Sequence, residues 1–301
     1  MTILALYHLA LVVTLGGPDG PAARPSPAGR DSFRYRLDIG RDELRGPALA
    51  RTPAQVKAEI PPLLRGLRTD GRGLKAATEA NIESFLTVAD AFEADGRLAT
   101  AANVLTNLKE NLESLRAARS GRPQSRSLIA TEEDLLHYRD AHNVHAITEH
   151  YLAGGQPSEA GYRWLKAKGV TTVINLRQPS EHEKEAIERL GLRYVHIPWP
   201  DLQAPSPDQV RRIVAIVESE GKSGGKVFQH CLRGIGRDGT MACCVRVASG
   251  MGADLAIHEW LEVAPTWIED QAKDSDGVPV QIKAVRRFEQ DLRGGTSPEK
   301  R

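Results

Sequence analysis

The chain has 301 residues, with 40 Lys and Arg against 39 Asp and Glu, for a formal net charge of +1. That length holds one large or two modest domains, and the even charge balance excludes the basic excess of a nucleic-acid binder and the acidic run of an interaction tail. Three cysteines, two of them adjacent (Cys243 and Cys244), exclude a disulfide framework.

Thr2 to Leu15 is an apolar run that carries no acid or base except His8. It is shorter than the roughly 20 residues of a membrane span and suits the core of a signal peptide. Small residues follow at Ala22, Ala23 and Ala28, and Gly16 to Arg30 reads as a Gly/Pro/Ala/Ser linker. Residues 1–30 therefore favour export or membrane anchoring over a cytoplasmic protein, and they are the only part expected to meet a membrane. Phe33 to Ile39 fits a short strand and an irregular lead-in equally well.

Residues 31–117 read as a helical region. Leu74, Ala77, Asn81, Phe85, Val88 and Phe92 recur at steps of three and four, and after the Asp95-Gly96 break so do Leu98, Ala101, Leu105, Leu108, Leu112 and Leu115. A turn this short predicts an antiparallel helical hairpin whose leucine stripe is internal packing. Residues 118–130 read as a second linker. Arg116, Arg119, Arg122 and Arg126 form a basic stretch at its start, read as solvated linker or, less simply, as a contact for an anion.

A second domain is expected over 131–293, ahead of a polar tail at 294–301. Tyr151 onward predicts a strand ending at a helix capped by Ser158 and closed by Gly169, with Tyr162, Trp164 and Leu165 on its apolar side. Val170 to Arg177 is a β-branched run fit for a buried strand. Ser180 to Leu190 predicts an acidic-headed helix, and Arg193 to Pro198 another strand. A helix opens at Ser206 or Pro207 and runs through Val217, and two more cover Leu255–Val263 and Val278–Leu292. Trp267 is placed either in the core or at the rim of a site. Strands alternating with helices predict a mostly parallel central sheet flanked by helices.

One stretch in this domain carries chemistry. Val227 and Phe228 lead into His230, Cys231, Leu232, Arg233, Gly234, Ile235, Gly236 and Arg237, followed by Asp238, Gly239 and Thr240. The order is strand, tight loop, helix start. Amides of such a loop converge on one point, and the helix adds the positive end of its dipole. A thiol at the mouth of such a concavity gives up its proton more readily than free cysteine, whose pKa is about 8.5. Arg237 can grip two oxygens of a bound oxyanion with its planar fork. A thiolate beneath a phosphate cradle is a nucleophile for phosphoryl transfer. Cys243 and Cys244 follow in the helix, where packing accounts for them better than a resolving-thiol role.

The pattern His230-Cys231-x-x-Gly234-x-x-Arg237 resembles the loop of the cysteine-dependent tyrosine and dual-specificity phosphatase superfamily. Gly155-Gln156-Pro157, the strand Val173 to Arg177 and His196-Ile197-Pro198 are also similar to its compact dual-specificity-like branch. The resemblance covers about residues 145–293. It implies a dual-specificity-phosphatase-like fold and a mobile loop bearing a general acid, which falls on Asp201 of Trp199-Pro200-Asp201. An alkoxide or phenoxide leaves poorly without such a proton. It further implies that Cys231 attacks, that Arg237 with the loop amides of residues 230–237 binds phosphate, and that His230 orients the cysteine. No metal and no cofactor are required.

One departure stands out. The family usually has Ser or Thr after the arginine, to ease departure of the thiolate, and here the residue is Asp238. Read as a helix N-cap, its charge would sit near the phosphate site and oppose the acidity of the cysteine. Slow breakdown of the phosphoenzyme is then expected unless Thr240 supplies the hydroxyl. The reading is a phosphomonoesterase acting through phosphocysteine, with a phosphorylated protein or a small phosphorylated ligand as substrate. Arg233 would suit an inositol phosphate or phosphoinositide, and Arg177 lines the pocket or forms a structural salt bridge. Alternatives are a phosphate-binding module with feeble turnover and a rhodanese-like sulfurtransferase.

Overall fold

The computed structural model describes residues 51–122, 127–137, 140–178, 183–268 and 271–294. The apolar N-terminal segment, the Phe33 to Ile39 stretch and residues 295–301 of the polar tail lie outside these residues. The chain divides into two compact units, with the main break between residues 140 and 141.

The first unit holds helices α1 (Pro53–Thr69), α2 (Ala76–Ala94), α3 (Leu98–Arg119) and the short α4 (Glu132–His137). The α2–α3 pair is the expected hairpin, turned at Gly96 with φ +74. Helix α1 had no counterpart in the sequence reading, because Pro61 and Pro62 interrupt its pattern. It forms nonetheless. Thr52 and Gln55 close a reciprocal capping box at its start, and Val56, Ile60, Leu63, Leu64 and Leu67 are all buried along it. The hairpin is thus one part of a three-helix packing around α3, whose Leu105, Leu108, Leu112 and Leu115 are buried. Arg119, read as solvated linker, corrects that reading. Its side chain is only 8% exposed and pairs with Asp70 at 2.9 Å and Glu132 at 2.8 Å.

The second unit is a five-stranded sheet in the order β1-β2-β5-β3-β4. The strands are β1 (His145–Thr148), β2 (Tyr151–Gly154), β3 (Val170–Asn175), β4 (Arg193–His196) and β5 (Lys226–His230). Only β1–β2 is antiparallel; β2–β5, β5–β3 and β3–β4 are parallel. The helices are α5 (Glu159–Ala167), α6 (Lys184–Arg189), α7 (Pro207–Lys222), α8 (Gly236–Ala248), α9 (Ala253–Val263) and α10 (Val280–Gly294). The expected helix from Ser180 is described only from its later part, since 179–182 lie outside the described residues.

Caps foreseen from sequence are in place. Ser158 Oγ accepts the Gly161 amide at 3.2 Å, and Ser206 with Gln209 makes a capping box that starts α7. Side chains from β2, β3 and β5, among them Tyr151, Ile174 and Val227, join α7–α10 in one continuous apolar core. Val173 and Phe228 are buried outside that cluster, as pleat alternation requires. Trp267 belongs to the core and not to a rim: it is fully buried and its indole donates to Gln281 Oε1 at 2.8 Å. The middle strand of the sheet, β5, ends at His230. In parallel sheets, ligands sit beyond such strand ends.

Candidate active site

Residues 231–235 join the end of β5 to the start of α8. The loop folds tightly because of Gly234. It has φ +70, and a Cβ there would lie 2.4 Å from the Gly155 amide nitrogen, so a side chain is excluded twice over. From this position the Gly234 amide donates to Cys231 Sγ at 3.3 Å. The loop's outer side is tied down. Asn143 Nδ2 donates to the Arg233 carbonyl at 2.6 Å, the Gln156 amide to the Leu232 carbonyl at 3.1 Å, and the Trp260 indole to the Ile235 carbonyl at 3.1 Å. Cys231 itself is only 4% exposed.

Arg237 is brought to the same place. It is 3% exposed, and its Nη1 donates to the Leu176 and Trp199 carbonyls at 3.2 Å each. Its Nη2 meets Asp201 Oδ1 at 3.3 Å, and its Nε is buried without a partner among the described residues. Nε and Nη2 form one edge of the guanidinium, the edge that matches two oxygens of an oxyanion. Asp201 sits with its side chain 42% exposed, on a turn held by Trp199 Nε1 donating to the Gln203 carbonyl at 3.1 Å and by Gln281 Nε2 donating to the same carbonyl at 3.1 Å. The structure thus gathers Cys231, Arg237 and Asp201 from two separate stretches of sequence.

Behind the loop lies a buried network that the sequence reading missed. His230 is fully buried; its Nδ1 lies 3.0 Å from the Cys231 carbonyl oxygen, and its Nε2 lies 3.3 Å from Glu183 Oε1 and 3.2 Å from the Tyr162 hydroxyl. Tyr162 donates to Glu183 Oε2 at 3.0 Å and Gln156 Nε2 donates to the same oxygen at 2.6 Å. Burial alone would raise the Glu183 carboxyl, but His230, the Tyr162 hydroxyl and Arg177 together hold it below the usual carboxylate range. Glu183 belonged to an acidic helix head and Tyr162 to an apolar helix face, so neither carried a site signal. Arg177 donates to Gln156 Oε1. Burial lowers its guanidinium from the ordinary value, Glu183 opposes this, and the charge of Arg237 lowers it further. Arg177 therefore stands within the electrostatic reach of the site.

Two expectations change. Asp238 is not the cap of α8: Ile235 holds that position, and Asp238 is the third helical residue, fully buried. Burial first, and then the Cys231 sulfur, push its carboxyl well above the usual range, which favours the neutral form over the repelling charge expected from sequence. Thr240 does not offer a hydroxyl to the sulfur, because its Oγ1 donates to the Gly236 carbonyl at 3.1 Å. Cys243 and Cys244 are buried in α8, and burial raises both thiols. Among the described residues no group of His, Cys, Asp and Glu is arranged to hold a metal ion, and no helix is long and apolar enough to cross a membrane.

A cysteine loop between a central parallel strand and a helix start, closed by an arginine, defines a phosphatase-like domain of the dual-specificity kind. Residues 135–274 match the family described as DSP-PTPase phosphatase fused to NAD+ kinase. Residues 135–274 are thus similar to the phosphatase domains of the cysteine-dependent protein tyrosine phosphatase superfamily. Mouse protein tyrosine phosphatase domain-containing protein 1 is 28% identical over 168 residues, covering 48% of this chain and 21% of that protein. The rice probable NAD kinase 2, chloroplastic, is 33% identical over 98 residues, covering 30% of this chain and 10% of that protein. The chain thus spans about a fifth or less of the length of these relatives. Among solved structures, Tk-PTP in its active form matches with a TM-score of 0.43 and 23% identity, covering 50% of this chain and 97% of that one. PTPMT1 in complex with PI(5)P matches with a TM-score of 0.43 and 18% identity, covering 51% and 99%.

Proposed function

We propose that this domain hydrolyses phosphomonoesters through a phosphocysteine intermediate, as a tyrosine or dual-specificity protein phosphatase. The observation that carries the reading is the Arg237 guanidinium. Its Nη1 is fastened to two carbonyls and its Nε is buried without a partner among the described residues, while Asp201 meets its Nη2 and Cys231 opens the loop that leads to it. In the proposed reaction Arg237 and the loop amides hold the phosphoryl oxygens, and Cys231 Sγ attacks phosphorus in line. The bond to the leaving oxygen breaks as Asp201 gives that oxygen a proton. Water then attacks phosphorus with Asp201 taking its proton, and the sulfur leaves. His230, braced by Glu183 and Tyr162, orients the cysteine end of the loop.

The test is phosphate release from an aryl phosphate. Cys231→Ser should abolish it, and Asp201→Asn should lower turnover most for substrates with poor leaving groups. Undiminished release by Cys231→Ser overturns the reading. Thiosulfate-dependent persulfide on Cys231 with indifference to Asp201→Asn would instead support sulfur transfer. A second reading, an inositol phosphate or phosphoinositide as substrate, is favoured by the placement of Arg177 within reach of Arg237. Phosphopeptides and inositol phosphates assayed against the wild type, Arg177→Ala and Arg233→Ala separate the two.

A further inference from the structure

We propose that Asp238 acts as a neutral carboxylic acid that hydrogen-bonds the Cys231 sulfur while the phosphoenzyme breaks down, filling the part of the hydroxyl that the sequence lacks. The proposal rests on the phosphocysteine reading above. Asp238 is fully buried on the first turn of α8, in the same turn as Arg237. Its Oδ1 accepts from Gln229 Nε2 at 3.2 Å, and its Oδ2 has no partner among the described residues.

An ionised carboxylate only accepts hydrogen bonds. Held in this place it would leave a buried, charged oxygen unsatisfied within electrostatic reach of a sulfur that must itself become negative. A neutral carboxyl removes that conflict, because the protonated oxygen becomes a donor. The groups that face Asp238 are few. Cys231 on the loop disfavours the charge, whereas Arg237 on α8, the Gln229 amide on β5 and the Gly154 amide on β2 favour it. The Tyr151 hydroxyl on β2 is buried without a partner among the described residues, and burial raises it well above the ordinary value, with Asp238, Cys244 and Cys243 adding to this. Burial outweighs the favouring groups, so the carboxyl keeps its proton well above the usual range.

In the second step the water oxygen bonds to phosphorus and the S–P bond breaks, its electron pair passing to Sγ. The water proton goes to the Asp201 carboxylate. Asp238 gives up no proton; its O–H bonds to the sulfur as negative charge collects there, so the donor stabilises the leaving thiolate without changing the balance of the reaction.

The experiment follows an aryl phosphate by rapid mixing and by acid-trapped phosphoenzyme, in the full chain, for wild type, Asp238→Ala, Asp238→Asn and Asp238→Thr. Asp238→Ala should show a burst and then a steady rate about 10- to 100-fold lower, the value of a hydrogen bond to a charged group, with phosphoenzyme accumulating. Asp238→Asn and Asp238→Thr each restore a donor, and should recover most of that loss. The wild-type rate of phosphoenzyme breakdown, a step in which Asp201 acts unprotonated, should show a high-pH limb where the Asp238 carboxyl ionises, and that limb should be missing from both donor variants. If Asp238→Ala does not fold, the missing limb in Asp238→Asn and Asp238→Thr carries the test. A steady rate in Asp238→Ala equal to wild type, Asp238→Asn as slow as Asp238→Ala, or an alkaline limb shared by wild type and Asp238→Asn each overturns the role of Asp238. Phosphate release by wild type that survives Cys231→Ser overturns the phosphocysteine reading beneath it, and is distinguished from those three by the serine variant alone.

Discussion

Replacing Glu183 by Gln keeps the shape of the side chain and removes its charge. Glu183 Oε2 accepts from Gln156 Nε2 and the Tyr162 hydroxyl, and its Oε1 lies 3.3 Å from His230 Nε2. A glutamine has one acceptor oxygen, so its NH2 would face either those two donors or His230. Hydrogen bonds to a charged group are worth about 1.5–3 kcal/mol each, and a buried group left unpaired costs about 1–3 kcal/mol. A loss of about 3 kcal/mol follows, because one donor is retained and relaxation recovers part of the rest. In a domain of this size that lowers Tm by about 6–12 °C. Since His230 lies 3.0 Å from the Cys231 carbonyl, turnover should fall as well.

The pH dependence supplies the sign. Glu183 is held below its unfolded value, so its stabilisation is fully present above an unfolded pKa of about 4.3 and is lost as pH falls through the folded value. Urea unfolding followed by tryptophan fluorescence, at pH 7 and at steps well below the unfolded value of about 4.3, measures this. The wild type should approach the variant as the pH drops. An unchanged urea midpoint for Glu183→Gln at pH 7 would refute the bracing role of the carboxylate.

Three other outcomes are expected. Asp238 has the opposite sign: its folded pKa lies above the unfolded value, so stability on its account falls as pH rises from about 4 toward the folded pKa. Asp238→Asn should therefore gain on wild type in urea midpoint as pH rises, and a constant difference would contradict it. Gly234→Ala meets both a positive φ and the Gly155 amide; loss of phosphate release by at least about 100-fold is expected, of the order that misplaced catalytic groups cost, with circular dichroism checking the remaining fold. Gly239→Ala puts a Cβ 2.0 Å from Trp260 Nε1 and should cost about 1–3 kcal/mol by overpacking, measured as a lowered Tm.

Much of the second unit was legible from sequence because its signals are local. Ser158 and Ser206 announce helix starts through their own hydroxyls, and the β-branched run beginning at Val170 is a strand wherever it is buried. The cysteine loop was legible for the same reason: a strand, a turn that needs Gly234 and a helix start all lie within about a dozen residues. Helix α1 was not, because Pro61-Pro62 reads as a break until packing of Val56, Ile60 and Leu64 outweighs it. Arg119 looked like part of a solvated basic run, and only the fold of the first unit brings Asp70 and Glu132 to it.

What the order of residues determined by itself was the anion cradle and its two chemical groups, Cys231 and Arg237, since backbone geometry over a few residues is set locally. Tertiary structure alone decided which distant groups surround them. It brought Asp201 to Arg237, set Glu183 and Tyr162 behind His230, and buried Asp238, which pushes its carboxyl well above the usual range. The physical reason is that a carboxyl's ionisation depends on the water and partners around it, and those are supplied by segments that meet only when the sheet has formed.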